Sequence, residues 1–365
     1  MALRGIRSRG PRPPDGGETD VAGQLREALH RVLSGDLQGA ELVLAEAARV
    51  DSSSTDLYFA LANVYRARGE VGRAIQIHQN LLLRKELPPA QHRAALLGLA
   101  LDFRAGGFLK RAAASFRELL EAEPKSRLAL EHLERLYVET GEWREALKVR
   151  RRIGSADPRT PTVTAHLLTG LGRLEMREGR TGDAQRAFRR AISADRSCAE
   201  VYLAFGDLRM HEARPAKAID LWQRVLPLHP RIGLLAYPRL LEAHQCQEDL
   251  AGFVALMARQ REARPDDDEA TLWWARGAIQ LGEVSSALDC LRQMLRRSPE
   301  YFPAYAELGR ALLKQGEDAE SARAFAELLD HLPRSAVLLH CRGCGCASTT
   351  LQWRCPQCGE WDSMG

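Results

Sequence analysis

No stretch of this 365-residue chain approaches the ~20 consecutive apolar residues that span a bilayer, so no transmembrane helix is expected. The opening Met1–Asp20 also lacks the apolar core of a signal peptide, which points to a soluble protein. Cysteines at disulfide-like spacing are missing. Of the eight, Cys198, Cys246 and Cys290 are scattered and the other five crowd the C-terminus, a distribution that fits a reducing compartment. Strong charge of either sign is absent: 52 Lys and Arg stand against 48 Asp and Glu, and a net charge of +4 gives no ground for a nucleic-acid partner. There is no His-Glu-x-x-His pair, Walker loop or Gly-x-Ser-x-Gly turn, and the ten histidines read as dispersed over repeat surfaces. With no catalytic constellation, the chain is expected not to be an enzyme.

What is present is a period. Prolines recur at Pro124, Pro158, Pro230, Pro265, Pro299 and Pro333, in steps of 34, 72, 35, 34 and 34 residues, which is the spacing of tetratricopeptide repeats with one longer unit in the second step. Small residues keep the same phase at Ala62, Ala100, Gly172, Gly206, Ala275 and Gly309, and again at Ala74, Ala112, Ala146, Ala184, Ala218 and Ala287. Large residues follow the second set by four positions, at His78, Phe116, Phe188, Trp222, Leu291 and Phe325. About nine two-helix units result, over residues 21–337, with the seventh losing the small-residue signature and marking a bend. Two short insertions, Lys85–Pro89 and Thr160–Thr162, read as loop excursions. Residues 1–20, with Arg4, Arg7, Arg9 and Arg12, read as a disordered tail that leaves peripheral contact with anionic lipid open.

No such unit buries its own apolar face, so stability comes from stacking neighbours, and the product is a solenoid with a surface suited to proteins. The ninth position of helix A faces the concave side in these repeats. Here it reads Asn63, Leu101, Arg135, Arg173, Asp207, Glu242, Arg276 and Arg310, with Arg66 and Arg104 one turn further on. Asn63, Arg66, Arg104, Arg135, Arg173, Arg276 and Arg310 are therefore candidate partner contacts, able to hold an acidic segment or a terminal carboxylate through bidentate guanidinium bonds. The bland alternative is a solvated face in an Arg-rich chain. Trp273-Trp274 reads as packing, and Asp266–Glu269 as the acidic start of a helix.

The last 25 residues hold two knuckles, Cys341-Arg342-Gly343-Cys344 and Cys355-Pro356-Gln357-Cys358, each followed by Gly. Doubled Cys-x-x-Cys at this spacing suits one tetrahedral ion, so Cys341, Cys344, Cys355 and Cys358 are the expected ligands. Four thiolates leave no open position, which favours structural zinc, although iron fits the same geometry and stays open. Cys346 and His340 lie nearby but outside the paired register. The segment 338–365 is too short to fold without a staple, so metal binding should supply its folding energy, and it is expected to pack on the final helices. The architecture is thus all-α with a small zinc-ribbon or rubredoxin-like module at its end.

The repeats joined to Cys-x-x-Cys-Gly and Leu351-x-Trp353-x-Cys355-Pro356-x-Cys358-x-x-Trp361, together with the run Arg68–Leu81, resemble the lipopolysaccharide assembly protein B family over roughly residues 21 to 363. The resemblance implies a non-enzymatic adaptor at the cytoplasmic face of a Gram-negative inner membrane. Such an adaptor presents the deacetylase that commits precursors to lipid A synthesis to a membrane-bound AAA+ zinc protease. It also implies a rubredoxin-type module whose ligands are Cys341, Cys344, Cys355 and Cys358, packed against the repeats. Family members typically begin with a transmembrane helix, whereas this sequence begins with the Arg/Pro/Gly tail, so the route to the membrane stays open, as does a homodimer. Electron transfer through iron, or a scaffold for another client, is the competing reading. Nucleic-acid binding is disfavoured, because Arg342 and Arg354 of the module face Glu360 and Asp362.

Overall fold

The structure is a computed structural model that describes residues 21–154, 157–228, 232–331 and 338–364. The expected tail, Pro230, Pro333 and the junction at Val337 lie outside the described residues. The chain divides into two compact units, one ending at Thr140 and one beginning at Gly141.

The first unit comprises α1 (Val21–Leu33), α2 (Leu37–Val50), α3 (Thr55–Ala67), α4 (Val71–Leu82), α5 (Pro89–Ala105), α6 (Leu109–Ala122) and α7 (Arg127–Glu139). In the second, α8 (Trp143–Ile153), α9 (Thr160–Arg177), α10 (Thr181–Ala194), α11 (Ala199–His211), α12 (Pro215–Gln223) and α13 (Val225–Leu228) come first. Then follow α14 (Tyr237–Cys246), α15 (Leu250–Ala263), α16 (Asp268–Leu281), α17 (Val284–Arg297), α18 (Phe302–Gln315) and α19 (Asp318–His331). A short antiparallel ladder, β1 (Leu339–His340) with β2 (Ala347–Ser348), belongs to the terminal segment.

Sequence phase becomes packing in a direct way. Ala74, Ala112, Ala146, Ala184, Ala218 and Ala287 are all fully buried, and four residues on, Phe116, Phe188, Trp222 and Leu291 are buried too. Each large side chain needs a bare helix to lie on. A Cβ on Gly172 would stand 2.4 Å from the Phe188 ring, and one on Gly206 would stand 2.1 Å from Trp222 Nε1, so only glycine permits these crossings. Trp222 Nε1 also donates to the Leu203 carbonyl at 3.1 Å, which satisfies its buried polar end. Where the chain must reverse after α16 and α18, Gly282 and Gly316 adopt φ of 96° and 81°, and Glu283 and Glu317 return hydrogen bonds to Ala278 and Leu312.

Two sequence expectations change. The insertion before α9 is helix rather than loop, since α9 starts at Thr160 and runs 18 residues; Lys85–Pro88 stays outside helix as expected, and α5 starts at Pro89 and runs 17. Four extra residues make about one helical turn, and Pro89 and Pro161 in the first turn forfeit no internal bond. The irregularity assigned to the seventh unit begins earlier. Pro227 cannot donate back to Gln223, α12 stops there after nine residues, and a four-residue α13 and a 3-10 turn at Gly233–Leu235 precede α14.

Candidate metal centre

The two knuckles fold as near copies of each other. Cys341 N donates to the Cys346 carbonyl at 2.9 Å and Gly345 N to Cys341 O at 2.8 Å; Cys355 N donates to Glu360 O at 2.8 Å and Gly359 N to Cys355 O at 2.9 Å. Gly345 and Gly359 both sit at positive φ, 73° and 74°, as each reversal demands. The arms are joined by bridges between Cys341 and Met364 and between Arg354 and Trp361.

This fold brings the four expected sulfurs together. Cys341, Cys344, Cys355 and Cys358 have Sγ atoms all within 4.8 Å of one another. The Cys341–Cys358 and Cys344–Cys355 separations are 3.6 Å. A tetrahedral ion with metal–sulfur bonds of ~2.3 Å places its sulfurs roughly 3.8 Å apart, so the set fits zinc or iron. The same separations are far too long for disulfides. The Ser363 hydroxyl, 3.2 Å from Cys341 Sγ, and the amides of Cys344 and Gly343 hold the Cys341 thiol down at about 6 despite its burial. Amides of Cys358 and Gln357 likewise lower Cys355. Amides and hydroxyls aimed at sulfur favour the thiolate that a cation needs. Cys346 and His340 stay outside the cluster.

Among the described residues the module is seated on α9, where the sequence suggested the final helices. His166 is only 1% exposed; its Nδ1 lies 2.5 Å from Glu200 Oε2 and its Nε2 2.9 Å from Asp362 Oδ2 of the module. Trp361 stacks on the imidazole at 4.5 Å with an 11° tilt, and Trp353 packs against the core around α9, α11 and α12. Burial opposes a charge on this ring. Asp362 on one side, and Cys198 and Glu200 on the other, override it and push the pKa up to about 12. His166 is therefore an imidazolium with both N–H groups donated to carboxylates. Glu200 is shared with Arg173. Asp362 is held in place by Arg342, which donates to its carbonyl at 2.7 Å, and by its own amide, which donates to Trp353 O at 2.7 Å. It adopts φ of 52°, a left-handed conformation that Asp tolerates better than most residues.

His166, Glu200 and Asp362 are not singled out by the sequence pattern as a cluster, since its histidines other than His78 read as surface groups; His244 is buried as well, and His78 is buried as its repeat phase suggested. The available signal was a lone His inside the apolar run Val163–Leu168. Its partner Asp362 lies 196 residues away, beyond any local pattern.

The arginine candidates are engaged internally. In the first unit Arg66 reaches Asp102 at 2.7 Å and Asn63 at 2.6 Å, while Asp102 also meets His78 at 2.6 Å in a fully buried cluster. Arg104 pairs with Glu139 at 2.7 Å, and Arg135 is half-buried on α7. In the second unit Arg173 pairs with Glu200, and Arg276 and Arg310 converge on Glu307 at 2.7 Å each. These last two line a cleft of about 390 Å3 with Ile279, Gln280 and Lys314.

Comparison with known proteins agrees with this architecture. Two family models described as tetratricopeptide repeat match residues 169–231 and 272–336, and residues 57–90 and 129–162. Lipopolysaccharide assembly protein B of Escherichia coli K12 is 26% identical over 323 residues, covering 86% of this chain and 81% of that protein. The Haemophilus influenzae protein of the same name is 25% identical over 319 residues, covering 83% and 77%. Among solved structures, MamA aligns with 44% of this chain and 93% of its own at 21% identity and a TM-score of 0.33. The Naa15/Naa10 complex bound to HypK aligns with 86% and 64% at 12% identity and a TM-score of 0.39. Neither structure bears on function. The chain is thus a tetratricopeptide-repeat protein with a terminal four-cysteine cluster able to hold a metal ion, similar along most of its length to lipopolysaccharide assembly protein B.

Proposed function

We propose that this protein is a non-enzymatic adaptor that controls lipopolysaccharide synthesis by presenting the deacetylase of the committed lipid A step to a membrane AAA+ protease. The carrying observation is that similarity to lipopolysaccharide assembly protein B covers 86% of this chain and 81% of that protein. In this reading residues 21–337 are the client-binding scaffold and 338–365 a structural zinc module, with Cys341, Cys344, Cys355 and Cys358 as ligands. Zinc closed by four thiolates has no position left for substrate, which supports a structural role. No helix among the described residues is long and apolar enough to cross a membrane. In this reading the protein works at the inner face of the inner membrane, reached through its partners or through Arg4, Arg7, Arg9 and Arg12. Of the arginines, Arg276 and Arg310 offer the most accessible carboxylate site. They share one glutamate and stand beside Lys314, so a client's acidic group would find cationic charge in excess. A competing reading is electron transfer, favoured by the exposure of Cys344 at the rim of the cluster.

The deciding experiment is the half-life of the deacetylase in the native host with the intact gene, a deletion, and Cys355→Ser. Lengthening in both mutants is expected. An unchanged half-life in the deletion would assign the scaffold another client, and red, iron-loaded protein would favour the electron-transfer reading.

A further inference from the structure

The terminal module does not close flush against the repeats. Between them runs an open groove of about 910 Å3, walled on one side by Leu339, Leu351 and Met364 and on the other by Ile232, Leu234 and Leu235. Its volume lies at the upper end of the ~300–1,000 Å3 of small-ligand sites, enough to take several side chains. Leu234 is 43% exposed there, and one edge is acidic, formed by the consecutive carboxylates Asp266, Asp267, Asp268 and Glu269.

Three of those carboxylates are committed. Asp267 caps α16 by accepting from Ala270 N at 2.9 Å and faces Arg264 at 3.6 Å. Asp268 pairs with Arg297, and Glu269 accepts from Trp273 Nε1 at 3.2 Å and Tyr301 OH at 2.6 Å. Asp266 is exposed, and among the described residues no hydrogen bond or ion pair engages it. Four carboxylates against two guanidiniums leave this edge negative. An anionic lipid would bring its headgroup against like charge, whereas a cationic side chain would gain from it.

We propose that the groove docks a partner-protein segment in which apolar side chains are flanked by Lys or Arg, the apolar side chains covering Leu234 and Leu351 and the cation meeting Asp266. This site is separate from the arginine cleft and does not depend on the adaptor reading. Because its walls come from both the module and the repeats, an occupant bridges them. Binding should then hold the module down, slowing amide exchange over residues 351–364 about a hundredfold at a hundredfold excess over Kd.

The test is selection of short random peptides on the full-length metal-loaded chain, with counter-selection on Leu234→Asp/Asp266→Lys. Both positions are exposed, and unchanged metal content and α9 exchange confirm that the variant folds. Expected are peptides pairing an apolar cluster with Lys or Arg. Changing that cation to Glu, or introducing Asp266→Lys alone, should weaken binding at least roughly threefold, and the Glu peptide should recover on Asp266→Lys. Failure to enrich any variant-sensitive peptide would overturn the proposal, as would enriched peptides without cationic preference. Saturable uptake of a fluorescent fatty acid, lost in Leu234→Asp, with no such peptide enriched, would overturn it in favour of a lipid.

Discussion

Replacing Asp362 by Ala leaves His166 Nε2 without an acceptor beside a ring that is fully buried, while Glu200 still holds Nδ1. Breaking one side of a buried ion pair costs ~3–5 kcal/mol. Asp362 is 27% exposed, so water recovers part of this and about 2–3 kcal/mol is expected. That loss falls on seating of the module and not on the whole chain, so global melting is the wrong assay. Hydrogen exchange over residues 351–364 reads it, and Asp362→Ala should raise the open population there about 30- to 150-fold. The pH dependence follows from the raised pKa of His166, about 12 in the folded protein against 6.5. A folded-state value above the unfolded one adds stability that is complete below pH 6.5 and declines as pH rises toward 12. The stability difference between the native protein and His166→Gln should therefore shrink from pH 6.5 to 9, by at most about 1.4 kcal/mol per pH unit. A difference flat over that range would refute the charged clasp.

Gly206→Ala drives a methyl into Trp222, whose Nε1 lies 2.1 Å from where the new Cβ would stand, and should cost about 1–3 kcal/mol by denaturant unfolding of the second unit. Cys355→Ser, or chelation of the native protein, should abolish protection over 339–364 with loss of metal, and persistence of that protection without metal would contradict metal-dependent folding. Asp157, only 2% exposed, would be raised by burial, but Arg159 and Arg150 hold it at about 2. Its contribution is present above pH 3.8 and lost as pH falls through 2, so Asp157→Asn should destabilise at pH 7 and much less near pH 2, measured by unfolding at both pH values.

Much of this molecule is legible in its sequence because its contacts are local. The 34-residue phase places Ala184 one turn before Phe188 on α10 and Gly172 of α9 beneath the Phe188 ring, pairs that a pattern of small and large residues exposes. The cysteine knuckles are legible for the same reason, since backbone reversal and ligand spacing lie within one short segment. The seat of the module is not, because Trp361 and Asp362 meet a histidine on a distant helix and nothing in either segment names the other. Internal neutralisation was hidden too: Glu139, Glu200 and Glu307 come from the helix of the following repeat, so the arginines looked unopposed when read one position per unit.

The contact between His166 and Asp362 closes 196 residues in a protein otherwise built from neighbours. Joined before the intervening repeats fold, it would cost roughly 1.5 kcal/mol more in loop entropy than a contact spanning one repeat. Once those repeats are in place, almost none of that penalty remains. The second carboxylate thus reaches the buried imidazolium only in a chain that carries the module with its thiolates gathered. A chain whose module is missing or unfolded keeps a half-paired cation on α9 where the folded module would seal the surface, so the state of the module is written into the stability of a helix far from it in sequence.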